Sequence, residues 1–548
     1  MRILGVHGAH DSSVCIINDG EVELFLKEER LSVEKRDSWP FKSLFSVINS
    51  NKEKIDYICY SDTPGNSYNS LVNLFDKFFD CPKICYDDKH HLSHASSAFY
   101  NSGFEESLVF VIDRNGSVIN YAMRESETVF QVSYPCNFKE LHKNYWQFKI
   151  SDWNPMIIKE IERLKKNKTS YSVGNFMSIV KIYESATTLI GQNPLENGKT
   201  MGLASYGNQG NFINLFSGNL PNDSLFIESH LLPTNIPGYI NMPTTLLREY
   251  CNKITTKVTK ENYQFYADYA YQVQKQTQEH TLKFIKEWVD KTGIKNVCIV
   301  GGYGLNVVAN GYFVENLPDV NFFFEPLADD TGQSIGMAMH KYRELTGDTT
   351  IHKMNTTSTH GYKQELIDVG INCNIDDIVE LLNQQKVVAV FNGLAESGPR
   401  ALGNRSILFD ARNKEGKDIV NRIKKREWYR PFAGMVLKED FSKYFYNLGL
   451  ESSEYMTISF DTKLPELIPS VVHVDNSCRV QTVDKSIPHI FDLLTKFKEK
   501  TGSSVLLNTS FNLAGKPLIE TQQQAIDTFN NSEIDVLWFP EINRMIIK

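Results

Sequence analysis

Apolar and polar residues alternate along the first thirty positions in a pattern typical of β-strands. Arg2 to His7 and Ser13 to Ile17 are strand-like runs, and a third run begins at Val22. Asn18-Asp-Gly20 separates the second run from the third and predicts a β-hairpin turn. The loop of residues 8–12, Gly-Ala-His-Asp-Ser, therefore lies between two strands at one end of a sheet, where loop residues often carry chemistry.

Segments with helical periodicity alternate with strand-like runs over most of the first 340 residues. The helical segments are 40–48, 90–100 and 263–289, and the strand-like ones are 55–60, 108–112 and 297–300. This alternation favours an α/β core. Two stretches interrupt it. The charged run 28–37 is expected to be solvated, and residues 196–207, rich in glycine and small side chains, are expected to form a connector.

Periodicity is lost over residues 342–362, which predicts a domain boundary. A second α/β segment follows, with 387–391 as one of its strands. A chain of 548 residues is too long for one ordinary domain. We therefore expect two domains, at residues 1–350 and 360–548.

The composition excludes several classes of protein. A hydrophobic content of 41% with 23% charged residues is typical of a globular protein. No uncharged apolar run is long enough for a transmembrane helix, and no signal peptide is recognisable, so we expect a cytoplasmic location without a membrane partner. Nine cysteines without CxxC spacing predict reduced thiols. The net charge of -8 argues against non-specific coating of duplex nucleic acid.

Two histidines in the predicted helix 90–100 are candidate metal ligands. His90 and His94 are four residues apart, so both imidazoles leave the same face of a helix. Paired histidines also occur by chance on surface helices, and the pattern gains weight only with partners. Asp113 follows the strand 108–112, and Asp330 lies far downstream. Two histidines and two carboxylates suit Fe(II), Mn(II) or Zn(II) better than a thiolate-seeking metal.

His10 and Asp11, in the loop 8–12, are candidates for an acid/base pair or a substrate contact. The alternative is a turn in which the aspartate caps backbone amides. A second loop, Gly301-Gly-Tyr-Gly-Leu-Asn306, connects a buried strand to a helical pattern. Its backbone N–H groups suit a phosphate or nucleotide, although Walker A spacing is absent.

Four motifs in the second domain combine cationic, amide and hydroxyl side chains. They are Gly398–Ser406, Lys424–Phe432, Arg479–Thr482 and Val505–Asn512. Guanidinium groups bind phosphate oxygens in a fork, so four such motifs in one domain predict an anion pocket.

Lysine and arginine exceed aspartate and glutamate by four between residues 139 and 168, and aromatic residues are interleaved with them. Such a mixture suits a single nucleic-acid strand, by phosphate neutralisation and base stacking. The alternative is a basic surface helix whose aromatic neighbours pack against the body of the protein.

Taken in order, these motifs resemble the O-carbamoyltransferases of the nodulation and antibiotic-tailoring type. The matching pieces are Gly8–Asp11, His90–Ala95, Val111–Asp113, Lys199–Gly207, Gly301–Asn306, Asp330–Gly332, Gly398–Ser406, Arg426–Phe432 and Asn508–Asn512. The resemblance implies an N-terminal actin/hexokinase-like domain, which is a duplicated ribonuclease-H-like fold. It also implies a C-terminal α/β domain similar to threonylcarbamoyl-AMP synthase.

The resemblance implies a two-step reaction. The C-terminal domain would use ATP, with Mg²⁺, to turn carbamoyl phosphate into carbamoyl-adenylate, and the N-terminal metal domain would pass the carbamoyl group to an acceptor hydroxyl. Two active sites in one chain are therefore expected. Fe(II) is the family's usual ion at the positions of His90, His94, Asp113 and Asp330, and Mn or Zn are the alternatives.

Residue roles are carried over by motif. His10 matches a proposed general base, with Asp11 beside it, and Lys35 matches a lysine near the carbamoyl-adenylate. The nucleotide and carbamoyl-adenylate contacts would be Gly301, Gly302, Asn306, Arg400, Lys424, Arg430, Arg479, Ser510 and Asn512. The chain departs from the family at Gly302-Tyr-Gly304, where Gly-Val-Ala is usual.

The acceptor is expected to contact a segment that is longer than in the family. The surplus falls at about 138–172, with Trp146, Lys165, Lys166 and Lys168 as acceptor-binding candidates. This basic segment favours a hydroxymethylated pyrimidine, as a nucleotide or within DNA or RNA, over a sugar or antibiotic hydroxyl. The remaining hypotheses are an actin-fold kinase, a tRNA-threonylcarbamoylating fusion and a non-enzymatic nucleic-acid-binding protein.

Overall fold

The computed structural model describes residues 1–51, 53–61, 68–120, 123–147, 155–174, 179–208, 258–351 and 361–548. Three β-sheets with helices packed on them account for these residues. The cysteines in these ranges are free thiols, in agreement with the sequence prediction. Within the same ranges, no helix is long and apolar enough to cross a membrane.

The first sheet has five strands in the order β3-β2-β1-β4-β5. They are β1 (Arg2–His7), β2 (Ser13–Asn18), β3 (Glu21–Lys27), β4 (Tyr57–Ser61) and β5 (Lys83–Cys85). Its helices are α1 (Glu28–Ser32), α2 (Phe41–Ser50), α3 (Tyr68–Phe78) and α4 (His90–Ser102). Strands β1 to β3 are antiparallel, as the hairpin turn predicts, and β4 and β5 run parallel to β1.

The second sheet repeats this arrangement. Its strands are β6 (Glu106–Ile112), β7 (Val118–Asn120), β8 (Met123–Ser133), β9 (Asn137–Gln147), β10 (Ser170–Gly174), β11 (Asn296–Val300) and β12 (Asn321–Phe324). Its helices are α5 (Pro155–Lys166), α6 (Ile179–Leu189), α7 (Asn197–Ala204), α8 (Tyr263–Thr292), α9 (Val307–Asn316) and α10 (Gln333–Thr346).

The strand order β9-β8-β6-β11-β12 matches that of the first sheet, with three antiparallel strands followed by two parallel ones. This repeat confirms the duplicated ribonuclease-H-like fold. We call the part that contains these two sheets the first domain.

The third sheet makes up the second domain, in the order β13-β21-β20-β14-β15-β19-β16-β18-β17. Its strands are β13 (Ile371–Asn372), β14 (Val388–Val390), β15 (Ser406–Asp410), β16 (Ala433–Leu437), β17 (Ser459–Asp461), β18 (Ser477–Val483), β19 (Val505–Ser510), β20 (Val536–Phe539) and β21 (Arg544–Ile547). Its helices are α11 (Ile375–Asn383), α12 (Gly416–Ile423), α13 (Phe441–Tyr444), α14 (Pro488–Thr501) and α15 (Gln522–Asn530). The α/β class is confirmed, while the domain limits 1–350 and 360–548 stay a prediction.

The charged run 28–37 differs from its prediction, because its first residues are buried in α1. The Glu28 carboxylate accepts hydrogen bonds from the Ser43 amide and hydroxyl, at 2.8 and 2.7 Å, at the start of α2. The Arg30 guanidinium donates to the Gly398 carbonyl oxygen of the second domain at 3.1 Å. These partners contact the buried charges, and the sequence pattern does not reveal them because they lie outside the run.

Two further segments also differ from their predictions. Residues 196–207 are mostly helical, since they contain α7. The segment 138–172 is not wholly an insertion, because β9 is a core strand of the repeated sheet. Compared with the first sheet, α5 and β10 are additional elements. Tyr145 of β9 is buried and donates a hydrogen bond to Glu160 of α5.

Helices α4 and α10 pack against each other between the first two sheets. An added Cβ at Gly336 would lie 1.9 Å from the Ser93 carbonyl oxygen, and one at Gly5 would lie 2.0 Å from the Ser334 carbonyl oxygen. Only glycine allows these close approaches. The packing brings the start of α4, with His90, next to the residues that precede α10.

We predict that Gly336→Ala destabilises the protein by about 1–3 kcal/mol, because the methyl group forces α4 and α10 apart. The free energy of unfolding from urea titrations measures the effect. Gly198→Ala is the matched control, since no atom lies within 4 Å of a Cβ at this helical position. It should leave stability unchanged or raise it by up to about 1 kcal/mol. Equal stability of Gly336→Ala and the wild type would contradict the close contact.

Candidate active site

Four side chains from separate parts of the first domain meet at one point. His90 and His94 leave one face of α4, Asp113 follows β6, and Asp330 begins the short 3-10 helix Asp330–Gly332 before α10. One potential ligand atom from each lies within 4.8 Å of the others. The Nε2 atoms of His94 and His90 are 3.2 and 3.5 Å from Asp330 Oδ1, and His90 Nε2 is 3.4 Å from Asp113 Oδ2. The structure thus brings the predicted metal ligands together.

The geometry of this cluster fits one divalent ion. All four side chains are buried, and the Nδ1 atoms of both histidines lack a hydrogen-bond partner among the described residues. With metal–ligand bonds of about 2.0–2.2 Å, donor atoms on a single ion are separated by distances like those seen in the cluster. The donor set of two imidazoles and two carboxylates is typical of a mixed nitrogen/oxygen site.

The electrostatics of the cluster favour added positive charge. Burial lowers the pKa of His90, but the carboxylates of Asp330 and Asp113 outweigh it and raise that pKa to about 10. Burial raises the pKa of Asp330, yet His10 and His90 hold it well below its usual value. A bound cation supplies the charge that these carboxylates require.

The loop between β1 and β2 places His10 beside the same carboxylate. His10 Nε2 is 3.4 Å from Asp330 Oδ2, and His10 Nδ1 is 3.1 Å from Asp11 Oδ2. Unlike the buried pair on α4, the His10 side chain is 42% exposed. Burial lowers the pKa of His10, whereas Asp330 and Asp11 raise it to about 9. Asp11 therefore orients His10, in keeping with the predicted acid/base pair.

His7, which was not among the predicted site residues, lies next to this cluster. It is fully buried at the end of β1, with Nδ1 2.9 Å from Ser61 Oγ and Nε2 3.9 Å from Asp330 Oδ2. Burial lowers its pKa to about 4, despite the opposing effect of Asp330. Its sequence position looks like that of any interior strand residue, so no local signal identifies it.

The glycine loop after β11 holds a cluster residue. The Gly302 amide donates to Asp113 Oδ1 at 3.1 Å, so it is not free for the phosphate that the sequence pattern favours. Gly301 has φ of 86°, and an added Cβ there would lie 2.5 Å from the Ile112 carbonyl oxygen. Asn306 caps α9 by accepting from the Ala309 amide, and its side chain lines the adjoining cavity.

A single cavity of about 450 Å³ extends from this cluster to the second domain. His10, Asp113 and Asp330 line one end. The other end contains a group that we call the cation cluster: Arg400, Lys424, Arg426, Arg430 and Arg479. Lys35 also lines the cavity, and its pKa is lowered by burial and by neighbouring cations that include Arg430. The two expected active sites therefore open into one shared space.

The cation cluster lacks balancing negative charge. Burial and the neighbouring guanidinium groups of Arg426 and Arg430 hold the pKa of Lys424 well below its usual value. Burial and Arg430 lower that of Arg400 to about 10. Among the ion pairs of the described residues, only that of Arg430 with Glu427, at 3.6 Å, involves the cluster. A bound polyanion would relieve the repulsion between these neighbouring cations.

Two of the predicted site residues, Asn512 and Ser510, fix the position of the Lys424 side chain. Its Nζ donates to Asn512 Oδ1 at 2.8 Å, and Ser510 Oγ, at the end of β19, donates to the same oxygen at 2.8 Å. Arg426 was not among the predicted site residues, although it belongs to the same basic motif as Lys424. Its Nε is buried without a hydrogen-bond partner in the described chain, and its guanidinium lies 4.9 Å from the centre of the Phe432 ring.

The predicted acceptor-binding residues lie elsewhere. Lys165, Lys166 and Lys168 are exposed at the end of α5 and just after it, and they are not among the described residues that line the cavity. Trp146 belongs to β9, but its side chain lies outside the described part of the structure. Acceptor binding by this surface stays a prediction.

Comparison with known proteins identifies the family. The models "Carbamoyltransferase N-terminus" and "Carbamoyltransferase C-terminus" match residues 67–339 and 379–546. The chain belongs to the carbamoyltransferase family. It is 28% identical to nodulation protein NolNO of Sinorhizobium fredii, over 96% of this chain and 78% of that protein. An uncharacterised protein of Methanocaldococcus jannaschii is 30% identical, over 86% and 76%. The protein is thus an enzyme that transfers carbamoyl groups, which confirms the resemblance.

Solved structures similar to this carbamoyltransferase are distant. Full-length HypF in its phosphate- and nucleotide-bound form is 14% identical, with a TM-score of 0.38 over 64% of this chain and 56% of that one. The activator of 2-hydroxyisocaproyl-CoA dehydratase from Clostridium difficile is 12% identical, with a TM-score of 0.30 over 63% and 95%. The fold assignment rests on the strand order of the carbamoyltransferase itself.

We predict that inorganic pyrophosphate binds the cation cluster, and that Arg426→Ala weakens this binding by about tenfold, the value of one charge-assisted hydrogen bond. The same substitution should raise the melting temperature of the ligand-free protein, because it relieves repulsion between buried cations. Calorimetric titration and thermal unfolding measure the two effects. In the control Lys496→Ala, which removes a surface pair with Asp376, pyrophosphate affinity should not change. Unaltered affinity in Arg426→Ala would exclude this site for the anion.

Proposed function

We propose that this carbamoyltransferase forms carbamoyl-adenylate at the cation cluster and transfers its carbamoyl group at the His/Asp cluster. The proposal rests on the single cavity, which has imidazoles and carboxylates at one end and the cation cluster at the other. The phosphate of carbamoyl-adenylate suits guanidinium groups. Its carbonyl suits a site that stabilises developing negative charge on oxygen. A single intermediate, carbamoyl-adenylate, therefore accounts for the residues at both ends of the cavity.

The first step that we propose takes place among the cations. Water hydrolyses carbamoyl phosphate to carbamate and phosphate. A carbamate oxygen then attacks the α-phosphorus of ATP, and the bond to the β-phosphate bridge breaks to release pyrophosphate with its Mg²⁺. Arg400, Arg426 and Arg479 would stabilise the negative charge of the pentavalent phosphorus centre. Lys424 lines the same part of the cavity, and its Nζ donates to Asn512 Oδ1 at 2.8 Å.

The second step takes place at the other end. The acceptor hydroxyl attacks the carbamoyl carbon, the bond from that carbon to the adenylate oxygen breaks, and AMP leaves. His10 would take the hydroxyl proton, because it is partly exposed and Asp11 orients its ring. This role requires a bound cation, which would offset the Asp330 charge that raises the His10 pKa to about 9. When bound by His90, His94, Asp113 and Asp330, a divalent ion such as Fe(II) supplies positive charge that polarises the carbonyl.

For the acceptor we propose a hydroxymethylated pyrimidine, as a nucleotide or within DNA or RNA. The support is the excess of basic residues in the segment 138–172, with Lys165, Lys166 and Lys168 on an exposed surface. These lysines do not line the cavity in the described part of the chain, so they suit a polymeric acceptor that extends beyond it. A sugar or antibiotic hydroxyl is the second candidate, with the same transfer chemistry.

We predict that the protein binds one equivalent of Fe(II), Mn(II) or Zn(II), and that His94→Ala and Asp330→Asn each reduce metal affinity by at least about tenfold. Each variant removes one donor from a set of four. Metal analysis after dialysis and competition with a chromogenic chelator measure the change. His142→Ala serves as a control because this histidine is hydrogen-bonded to Ser170, away from the cluster. Full metal content in both ligand variants would contradict the assignment.

We predict that the enzyme releases pyrophosphate from ATP only when carbamoyl phosphate is present, and that one acceptor gains a carbamoyl group. The panel contains 5-hydroxymethylcytidine, an oligonucleotide with that base, and sugar alcohols. Pyrophosphate detection and mass spectrometry measure the two events. A phosphorylated product would indicate the actin-fold kinase instead, and dependence on threonine and bicarbonate would indicate the tRNA-modifying fusion. Absence of pyrophosphate release would contradict the proposal that the enzyme forms carbamoyl-adenylate.

A further inference from the structure

An ion pair joins the two domains beside the cavity. Lys199 Nζ of α7 is 2.7 Å from Glu427 Oε1 of the second domain and 3.0 Å from Glu196 Oε2. Glu427 Oε2 is in turn 3.6 Å from Arg430 NH1 in the cation cluster. Among the ion pairs of the described residues, Lys199–Glu427 is the one that links the first domain to the second.

These side chains lie on a part of the cavity wall that is in contact with solvent. Lys199, Glu427 and Arg430 all line the cavity, yet their side chains remain 15%, 25% and 29% exposed. The same wall is tied to the other side of the cavity by Arg36, which donates to the Leu195 carbonyl oxygen at 2.6 Å. Breaking the ion pair is therefore expected to loosen this part of the wall and to let more water into the space between the two clusters.

The docking of α7 does not depend on this pair alone. His473 Nε2 lies 2.9 Å from the Gly202 carbonyl oxygen, and Pro431 lies close to Gly202. The rings of Tyr206 and Trp428 also meet across the same contact, with centroids 5.1 Å apart. Removal of the Lys199 charge should therefore leave the two domains together, so that a change in chemistry can be separated from a loss of folding.

Carbamoyl-adenylate is a mixed anhydride of carbamate and a phosphate. If water attacks its carbonyl carbon, the bond to the adenylate oxygen breaks, and the products are carbamate and AMP without a carbamoylated acceptor. An enzyme that makes this intermediate at one end of a cavity and uses it at the other must exclude water along the way.

We propose that the Lys199–Glu427 ion pair is a positioning pair that keeps the cavity wall closed, so that carbamoyl-adenylate passes between the two clusters without hydrolysis. This inference rests on the proposed function. The pair touches neither reacting group. It acts by holding the segment 195–199 against the segment 427–430, and Lys199 also neutralises two carboxylates that would otherwise face the adenylate phosphate.

The test measures AMP released per carbamoylated acceptor in the metal-loaded, full-length enzyme. In the wild type the two amounts should be equal. Lys199→Met and Glu427→Gln should each raise the ratio at least about threefold, because water now competes with the acceptor, while pyrophosphate release changes by less than about twofold. Lys199→Arg keeps the charge and should restore the ratio. The double variant should be no worse than either single one, since both remove the same contact.

Lys500→Met is the matched control, because Lys500 forms a comparable pair with Glu380, at 3.0 Å, on the outside of the second domain. Its ratio should equal that of the wild type. If Lys199→Met slows pyrophosphate release and product formation together at an unchanged ratio, the pair only positions Arg430 and the inference is overturned. If the wild type itself releases no pyrophosphate, the proposed function fails and this inference fails with it.

Discussion

Charged side chains are concentrated at both ends of one partly enclosed cavity, where water screens them poorly. At one end, Asp330 and Asp113 raise the pKa of His90 to about 10. At the other, Arg430 and burial lower the pKa of Arg400 to about 10. The imidazoles balance the carboxylates at the first end, whereas at the second end the pair of Arg430 with Glu427 is the only ion pair of the described residues that involves the cation cluster. The residues that carry this imbalance reduce the stability of the free protein and create its binding sites, a trade-off common in enzymes.

The duplicated fold explains how distant residues reach the same point. In each repeat the loop after the first strand carries a functional side chain: His10 follows β1, and Asp113 follows β6. In each repeat the residues that lead into the last helix also contribute, His90 at the start of α4 and Asp330 just before α10. The close contact of α4 with α10 at Gly336 brings these four positions together. The cluster is thus a product of the pseudo-symmetry, although the residues at equivalent positions differ.

The sequence patterns correctly predicted those structural features that depend on interactions between nearby residues. The spacing of His90 and His94 and the hairpin turn at Asp19-Gly20 depend on neighbours within a few residues, and both are as expected. Long-range partners explain the differences. The charge of Arg30 predicts an exposed side chain. The residue is nevertheless buried, because the Gly398 carbonyl, far away in the sequence, accepts a hydrogen bond from it. Likewise, a glycine loop suggests phosphate until the Gly302 amide is seen to bond Asp113. The motif order identified the reaction, whereas the shared cavity could only come from the packing of the two domains.

In the proposed reaction, the shared cavity also limits how tightly the cation cluster can bind carbamoyl-adenylate. If the guanidinium groups held the adenylate phosphate with all their available hydrogen bonds, the intermediate would be trapped before it reached His10. The Arg430 guanidinium, one of these groups, lines the cavity wall 3.6 Å from the Glu427 carboxylate. Lys35, on the same cavity wall, offers a further cation whose pKa burial and neighbouring cations already lower. In the proposed reaction, these cations along the wall would keep the phosphate paired while the carbonyl advances toward the His/Asp cluster. Transfer between the two ends would then require no release into solvent, and in this proposal the wall between them matters as much as either cluster.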